Sequence, residues 1–177
     1  MTENNILAGF GFFSEVQPAT LEKIARMAEI LEFQADDVIF RYNEPAAHLY
    51  GVLTGEVGLS IVFKDKVLKT DIEYEEAIQA SIVEEEKSIM VDAVQPGQVF
   101  GWASVVGPGR RTVNATCLAA ARIFALPASE LSTMFEEDPV LGYAIMKKMS
   151  DIISKRLKKR TEKLIETWVE AFDVNAI

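Results

Sequence analysis

Gln95-Pro96-Gly97-Gln98-Val99-Phe100-Gly101-Trp102-Ala103-Ser104-Val105-Val106-Gly107-Pro108-Gly109-Arg110-Arg111-Thr112-Val113-Asn114-Ala115-Thr116 decides how this chain is read. A Pro-Gly turn leads into Phe100-Gly101, and a short apolar segment follows. Next come a Gly-Pro-Gly loop and an arginine pair beside a threonine, where an alternating strand begins. Backbone N–H groups after a glycine, followed by an arginine on a strand edge, are the parts of an anion cradle.

On both sides of this stretch the hydrophobic period is two. Strands are expected at 30–33, 38–42, 49–53, 57–63, 88–94, 112–118 and 122–126. Val57, Leu59, Ile61 and Phe63 share a face, and Thr54-Gly55-Glu56 is a tight hairpin connection. Between Lys64 and Lys87 neither period holds, and the segment reads as an extended hairpin with a charged turn. Many short strands with Gly/Pro turns specify a mainly β fold, a double-stranded β-helix (jelly-roll) barrel with flanking helices.

The ends are helical. The first 28 residues read as a helical segment, with Pro18 in a first turn and Leu21, Ile24, Ala25 and Ala28 on one face. Phe10, Phe12 and Phe13 are expected beneath it. A short helix begins at Pro127. Asp138-Pro139 then starts a long one, with Asp as N-cap and Pro at N1, reaching about residue 172. Leu141, Ile145, Met149 and Ile152 form one stripe of the long helix. Ile153, Leu157, Leu164 and Trp168 form another at near-heptad spacing, and a second copy of the helix is its simplest cover. The organisation expected is 1–28 N-terminal helical segment, 29–126 β-roll and 127–177 short helix plus long dimerisation helix.

Composition narrows the function. Hydrophobic residues make up 49% of the 177 and charged residues 25%, as in an ordinary globular domain. No apolar run reaches membrane-spanning length, and no positive segment opens the chain, so a cytoplasmic protein without membrane contact is expected. The single Cys117 alternates with Val113 and Ala115, which makes it a core thiol rather than a nucleophile. The net charge of −9 disfavours general nucleic-acid affinity. It is uneven: 65–87 holds eight acidic residues against three basic ones, and 147–163 eight basic against two acidic. Each is a solvated face in the simpler reading; the 147–163 face could otherwise meet an acidic protein partner. His48 is the only histidine, so no multi-histidine metal centre can form. No catalytic triad, metal-binding helix or P-loop is present. A non-enzymatic protein without cofactor is expected.

The order of elements resembles the cyclic-nucleotide-binding domains of the catabolite-activator and kinase-regulatory-subunit type, from about Phe10 to Leu157. The segments carrying the likeness are Val38-Ile39-Phe40-Arg41-Tyr42-Asn43-Glu44-Pro45-Ala46-Ala47-His48-Leu49-Tyr50, Leu53-Thr54-Gly55-Glu56-Val57 and Pro96-Gly97-Gln98-Val99-Phe100-Gly101. The resemblance implies a phosphate-binding cassette in which Gly101 lets the backbone approach and Ala103 and Ser104 supply N–H donors. Arg111 pairs with the cyclic phosphate beside Thr112, and cyclic AMP or cyclic GMP is the ligand. In the family an acidic residue follows the glycine and accepts the ribose hydroxyl. Here that residue is Trp102, which offers only an N–H donor. Losing the acceptor costs about 1–3 kcal/mol. Trp102 either plugs a degenerate pocket or stacks on a base or an arginine. Arg111 either holds a phosphate or is a surface arginine paired with an acidic neighbour. Family members often continue into a helix-turn-helix domain, for which no room follows Arg160, so no sequence-specific DNA binding is expected. The resulting expectation is a regulatory sensor, dimeric through its long helix, with a cyclic nucleotide or similar small phosphate at 101–112. The alternative is a ligand-free dimeric scaffold with Trp102 filling the pocket.

Overall fold

The computed structural model describes residues 6–172 apart from 75, 76 and 108. Among them, eight strands make two four-stranded antiparallel sheets. The strands are β1 (Glu29–Phe33), β2 (Val38–Phe40), β3 (His48–Thr54), β4 (Val57–Tyr74), β5 (Ala77–Val94), β6 (Val99–Phe100), β7 (Asn114–Cys117) and β8 (Ala121–Pro127). One sheet runs β1-β8-β3-β6 and the other β2-β7-β4-β5. Apart from the β4–β5 hairpin, sequence neighbours fall in different sheets, the winding of a jelly roll. The helices are α1 (Pro18–Met27), α2 (Ala128–Glu137) and α3 (Pro139–Phe172).

The period of two builds two cores from one sheet. On β8, Ile123 and Ala125 point between the sheets, where they meet Phe40, Tyr50, Val52, Leu59 and Phe100. Their neighbours Phe124 and Leu126 point the other way, into a second cluster with Leu7, Phe10, Phe13, Ile24, Leu131 and Ile145. The N-terminal phenylalanines therefore pack with α1, as their sequence implies. α3 starts at Asp138, whose Oδ1 accepts hydrogen bonds from the backbone N–H groups of Val140 and Leu141, each at 3.1 Å. The first stripe of α3 docks on the roll: Leu141, Ile145 and Met149 are buried. The second emerges from it, with Leu157, Leu164 and Trp168 at least 60% exposed.

The structure changes three boundaries and adds one strand, β6. Among the described residues the N-terminal segment is helical only at a 3-10 turn, Gly11–Phe13, and at α1; Gly9 and Gly11 disfavour a continuous helix. β2 stops at Phe40 because the Tyr42 N–H is taken by Asn114 Oδ1 at 2.6 Å and Asn43 adopts φ 67°. β7 begins only at Asn114, since the Arg111 N–H is bonded to Glu44 O. β6, two residues long, is too short to show a period. The expected hairpin over 64–87 is present as a continuation of β4 and β5, paired from Val57↔Val94 to Tyr74↔Ala77. β7 pairs with β4 only through Ser60, so beyond that residue the hairpin pairs with itself. The acidic pair Glu75-Glu76 at its turn lies outside the described residues. Among the described residues no helix is long and apolar enough to cross a membrane.

Candidate functional site

The chain leaves β6 at Gly101, which adopts φ +79°. Only glycine takes this conformation without strain, and the space demands it too. A Cβ here would lie 2.8 Å from Arg111 Nη1 and 3.0 Å from Tyr50 Cδ2. A 3-10 turn, Trp102–Ser104, follows at once. Both the N–H and the hydroxyl of Ser104 donate to Gly101 O, at 3.2 and 3.0 Å, so the donors expected of Ser104 serve the turn itself.

Arg111 is held at both ends. Its N–H donates to Glu44 O, and its C=O accepts from Asn43 N, which ties it to the turn after β2. Its side chain points inward and is only 3% exposed. Nη1 donates to Gly101 O and Nη2 to His48 O, both at 3.0 Å. The guanidinium lies 4.2 Å from the Phe40 ring centroid and 5.2 Å from that of Tyr50. Burial pushes its pKa down, partly countered by Tyr50 and Glu44; burial also pushes Tyr50 up. The alternative of a surface arginine paired with an acid is overturned: Arg111 is in the core, and no ion pair reaches it among the described residues. Arg110 is exposed and donates to Asn43 O.

Trp102 stacks on an arginine, and that arginine comes from α3. The Arg156 guanidinium sits 4.6 Å from the indole centroid, a contact worth about 0.5–2 kcal/mol as it is desolvated. Arg156 Nε pairs with Asp92 Oδ2 at 3.1 Å, and Nη2 donates to Val99 O at 3.0 Å. The Arg156 and Asp92 side chains are 12% and 7% exposed. Lys159 pairs with the other Asp92 oxygen at 3.1 Å. Burial pushes the pKa of Arg156 down, opposed by Asp92 and reinforced by Arg160. α3 is thereby fastened across the cassette to β5 and β6.

What remains beside Arg111 is a cavity of about 20 Å³, where a single water needs about 10–15 Å³. Gly101, Trp102, Ala103, Arg111 and Thr112 line it, so five of the six expected site residues converge. Ser104 is not among the lining residues. Arg156 and Arg160 complete the wall; the sequence presents both only as part of a basic helix. Their spacing of four, on one helix face, is the only local sign of a shared role. A larger cavity, about 490 Å³, lies between α3, Gly11-Phe12 and the β5–β6 connection. Its cations Lys148, Lys155, Arg156 and Lys159 are all paired with carboxylates. Most of the basic face at 147–163 is neutralised within the chain in this way.

This cassette, set between β6 and β7 of a roll closed by a long helix, is the arrangement of the cyclic-nucleotide-binding domains, and the chain has their fold. It is similar to the structure of a putative cyclic nucleotide-binding protein from Geobacter metallireducens, with TM-score 0.66 and 24% identity over 89% of this chain and 98% of that one. A cyclic nucleotide-binding domain from Methylobacillus flagellatus superposes with TM-score 0.65 and 14% identity, covering 92% and 80%. Among curated proteins, the chain is 20% identical over 163 residues to a CRP-like cAMP-activated global transcriptional regulator of Mycobacterium tuberculosis. It spans 62% of that relative's length, and 92% of this chain is matched. No family model matches.

Proposed function

We propose that this chain is a non-catalytic regulatory domain of the cytoplasm, with the position of α3 over the cassette as its output. Its cassette, with Trp102 and Arg156 in place, admits no cyclic nucleotide. The observation carrying this reading is the Trp102–Arg156 stack, locked by Asp92 and leaving a cavity of about 20 Å³. That is space for one or two water-sized groups, far below a nucleotide. Trp102 is then the plug, and the domain works through protein contacts. The exposed stripe Leu157, Leu164, Ile165 and Trp168 supplies one such contact, a second copy of α3. The internal pairing of the basic face leaves few free cations for an acidic partner, so the homodimer is the assembly proposed.

One observation favours a second reading, a cyclic AMP or cyclic GMP site opened by release of α3. Gly101, Arg111 and Thr112 still share one cavity. Calorimetry with each nucleotide at millimolar concentration separates the two. The first reading expects no saturable heat from the wild type, and one-to-one saturable heat would replace it with the second. Light scattering should give twice the chain mass of 19.7 kDa; a value near 19.7 kDa at all working concentrations would remove the dimer.

A further inference from the structure

The docking face of α3 changes chemistry along its length. Leu141, Ile145 and Met149 are buried on the roll, and the same row of positions continues through Ile152 to Arg156 and Lys159. Where the row turns charged, helix and roll part. The cavity of about 490 Å³ against Gly11-Phe12 and Gly97-Gln98 lies there, a volume that takes a small organic molecule. No atom lies within 4 Å of where a Cβ would stand on Gly11 or Gly97, so nothing in the chain fills the space beside them. The wall also holds fixed charges: the Asp92 and Arg156 side chains, 7% and 12% exposed, are bonded to each other.

Five cations cluster at this cavity and share three carboxylates. Glu15 serves Lys147 and Lys148, Asp92 serves Arg156 and Lys159, and Asp151 serves Lys155. The cluster is therefore positive in a chain of net charge −9. The Lys155 and Lys159 side chains are 75% and 70% exposed; ion pairs so exposed are weak, and both ammonium groups can turn to a ligand. Apolar surface comes from Ile152 and Ala93, both partly buried, and from the lysine stems. Charge and apolar surface together select an amphipathic anion. Asp92 and Asp151 stand in the same wall and repel a polyanionic head, whereas a single carboxylate can accept charge-assisted bonds from two lysines. We propose that this cavity binds a small organic monocarboxylate, its acid group on Lys155 and Lys159 and its apolar body on Ile152 and Ala93. Such a ligand touches α3, the N-terminal 3-10 turn and the β5–β6 connection at once. It binds best when α3 is docked, and its concentration shifts the docked population. The site supplies the input to the reading in which the position of α3 is the output, and in that respect rests on it; its contacts involve neither Gly101 nor Arg111.

The test is calorimetry of the full chain with sodium naphthalene-2-carboxylate and sodium octanoate, one aromatic and one aliphatic acid. Each is compared with the alcohol of the same body, 2-naphthalenemethanol and 1-octanol. At least one acid should bind saturably, one per chain, and its alcohol at least tenfold more weakly. That acid should raise Tm by roughly 5–10 °C at a hundredfold excess over Kd. The double variant Lys155→Gln/Lys159→Gln changes two exposed side chains, should keep the wild-type circular dichroism, and should weaken the acid at least tenfold. Lys158→Gln, whose lysine pairs with Glu162 outside the cavity, should leave the affinity unchanged. No saturable heat from either acid, equal binding of acid and alcohol, or unaltered affinity in the double variant would overturn the proposal. The closed cassette fails separately, by saturable heat from cyclic AMP; absent acid binding without nucleotide heat removes this site alone.

Discussion

Asp92→Asn should loosen α3 from the cassette, and the structure sets the size of the effect. The substitution keeps the shape of the side chain and the acceptor for Ala93 N–H, which Asp92 Oδ1 receives at 3.0 Å. It removes the counter-charge of Arg156, whose side chain is 12% exposed. Removing one partner of a buried pair costs about 3–5 kcal/mol. The Lys159 half of the site is 70% exposed and adds at most about 1 kcal/mol. Arg156 keeps Val99 O and the Trp102 ring, so the low end applies, about 3 kcal/mol. For a chain of this size that is a Tm drop of roughly 6–12 °C. Arg156→Met should cost less, because Asp92 retains Lys159. The double variant should cost less than the sum, with a coupling of about 2 kcal/mol. Urea denaturation of the four proteins, with m unchanged, measures it. A coupling below about 0.5 kcal/mol would mean that Asp92 and Arg156 do not meet, and the account of α3 as a fastened cap would fall.

Gly101→Ala should cost more than Gly97→Ala in the same urea assay. Both glycines have positive φ, +79° and +84°, and share a conformational cost of about 1–2 kcal/mol, but only Gly101 would also press a Cβ against Arg111 and Tyr50. Equal costs would argue against Arg111 lying beneath the cassette. The Glu15 carboxyl, hydrogen-bonded to Lys148 and near Lys147, is held below its ordinary value of 4.5. Its folded pKa is depressed, so its contribution is present above the unfolded pKa and fades as pH falls through the folded one; an NMR titration midpoint at or above 4.5 would refute the pairing. Cys117 is fully buried and burial pushes its thiol pKa up, so a disulfide reagent should label it only at the rate of unfolding, and rapid native labelling would contradict this.

The roll was legible because alternation along β8 sorts side chains between two cores and alternation along β4 and β7 sets Val57, Leu59, Ala115 and Cys117 in one of them, and Asp138-Pro139 marks the start of α3 without tertiary information. The ends of β2 and β7 were not, since Asn114 settles them by bonding to Tyr42, 72 residues away. At the site, Gly101, Trp102, Arg111 and Thr112 could be picked out from their order alone. That Trp102 would find an arginine was open among the alternatives; that the arginine is Arg156 was not visible, because it reaches the cassette from a position on α3 that lies 57 residues beyond Val99. The burial of Arg111 was missed for a related reason. Its ring partners Phe40 and Tyr50 lie on β2 and β3, and nothing near Arg111 in sequence announces them.

A crystal structure of the chain grown with millimolar cyclic AMP would show whether the cassette stays closed. Arg156 should lie over the Trp102 ring and be bonded to Asp92, with no nucleotide at Gly101. A cyclic AMP phosphate on Arg111, with α3 displaced and Trp102 turned away, would contradict the closed cassette.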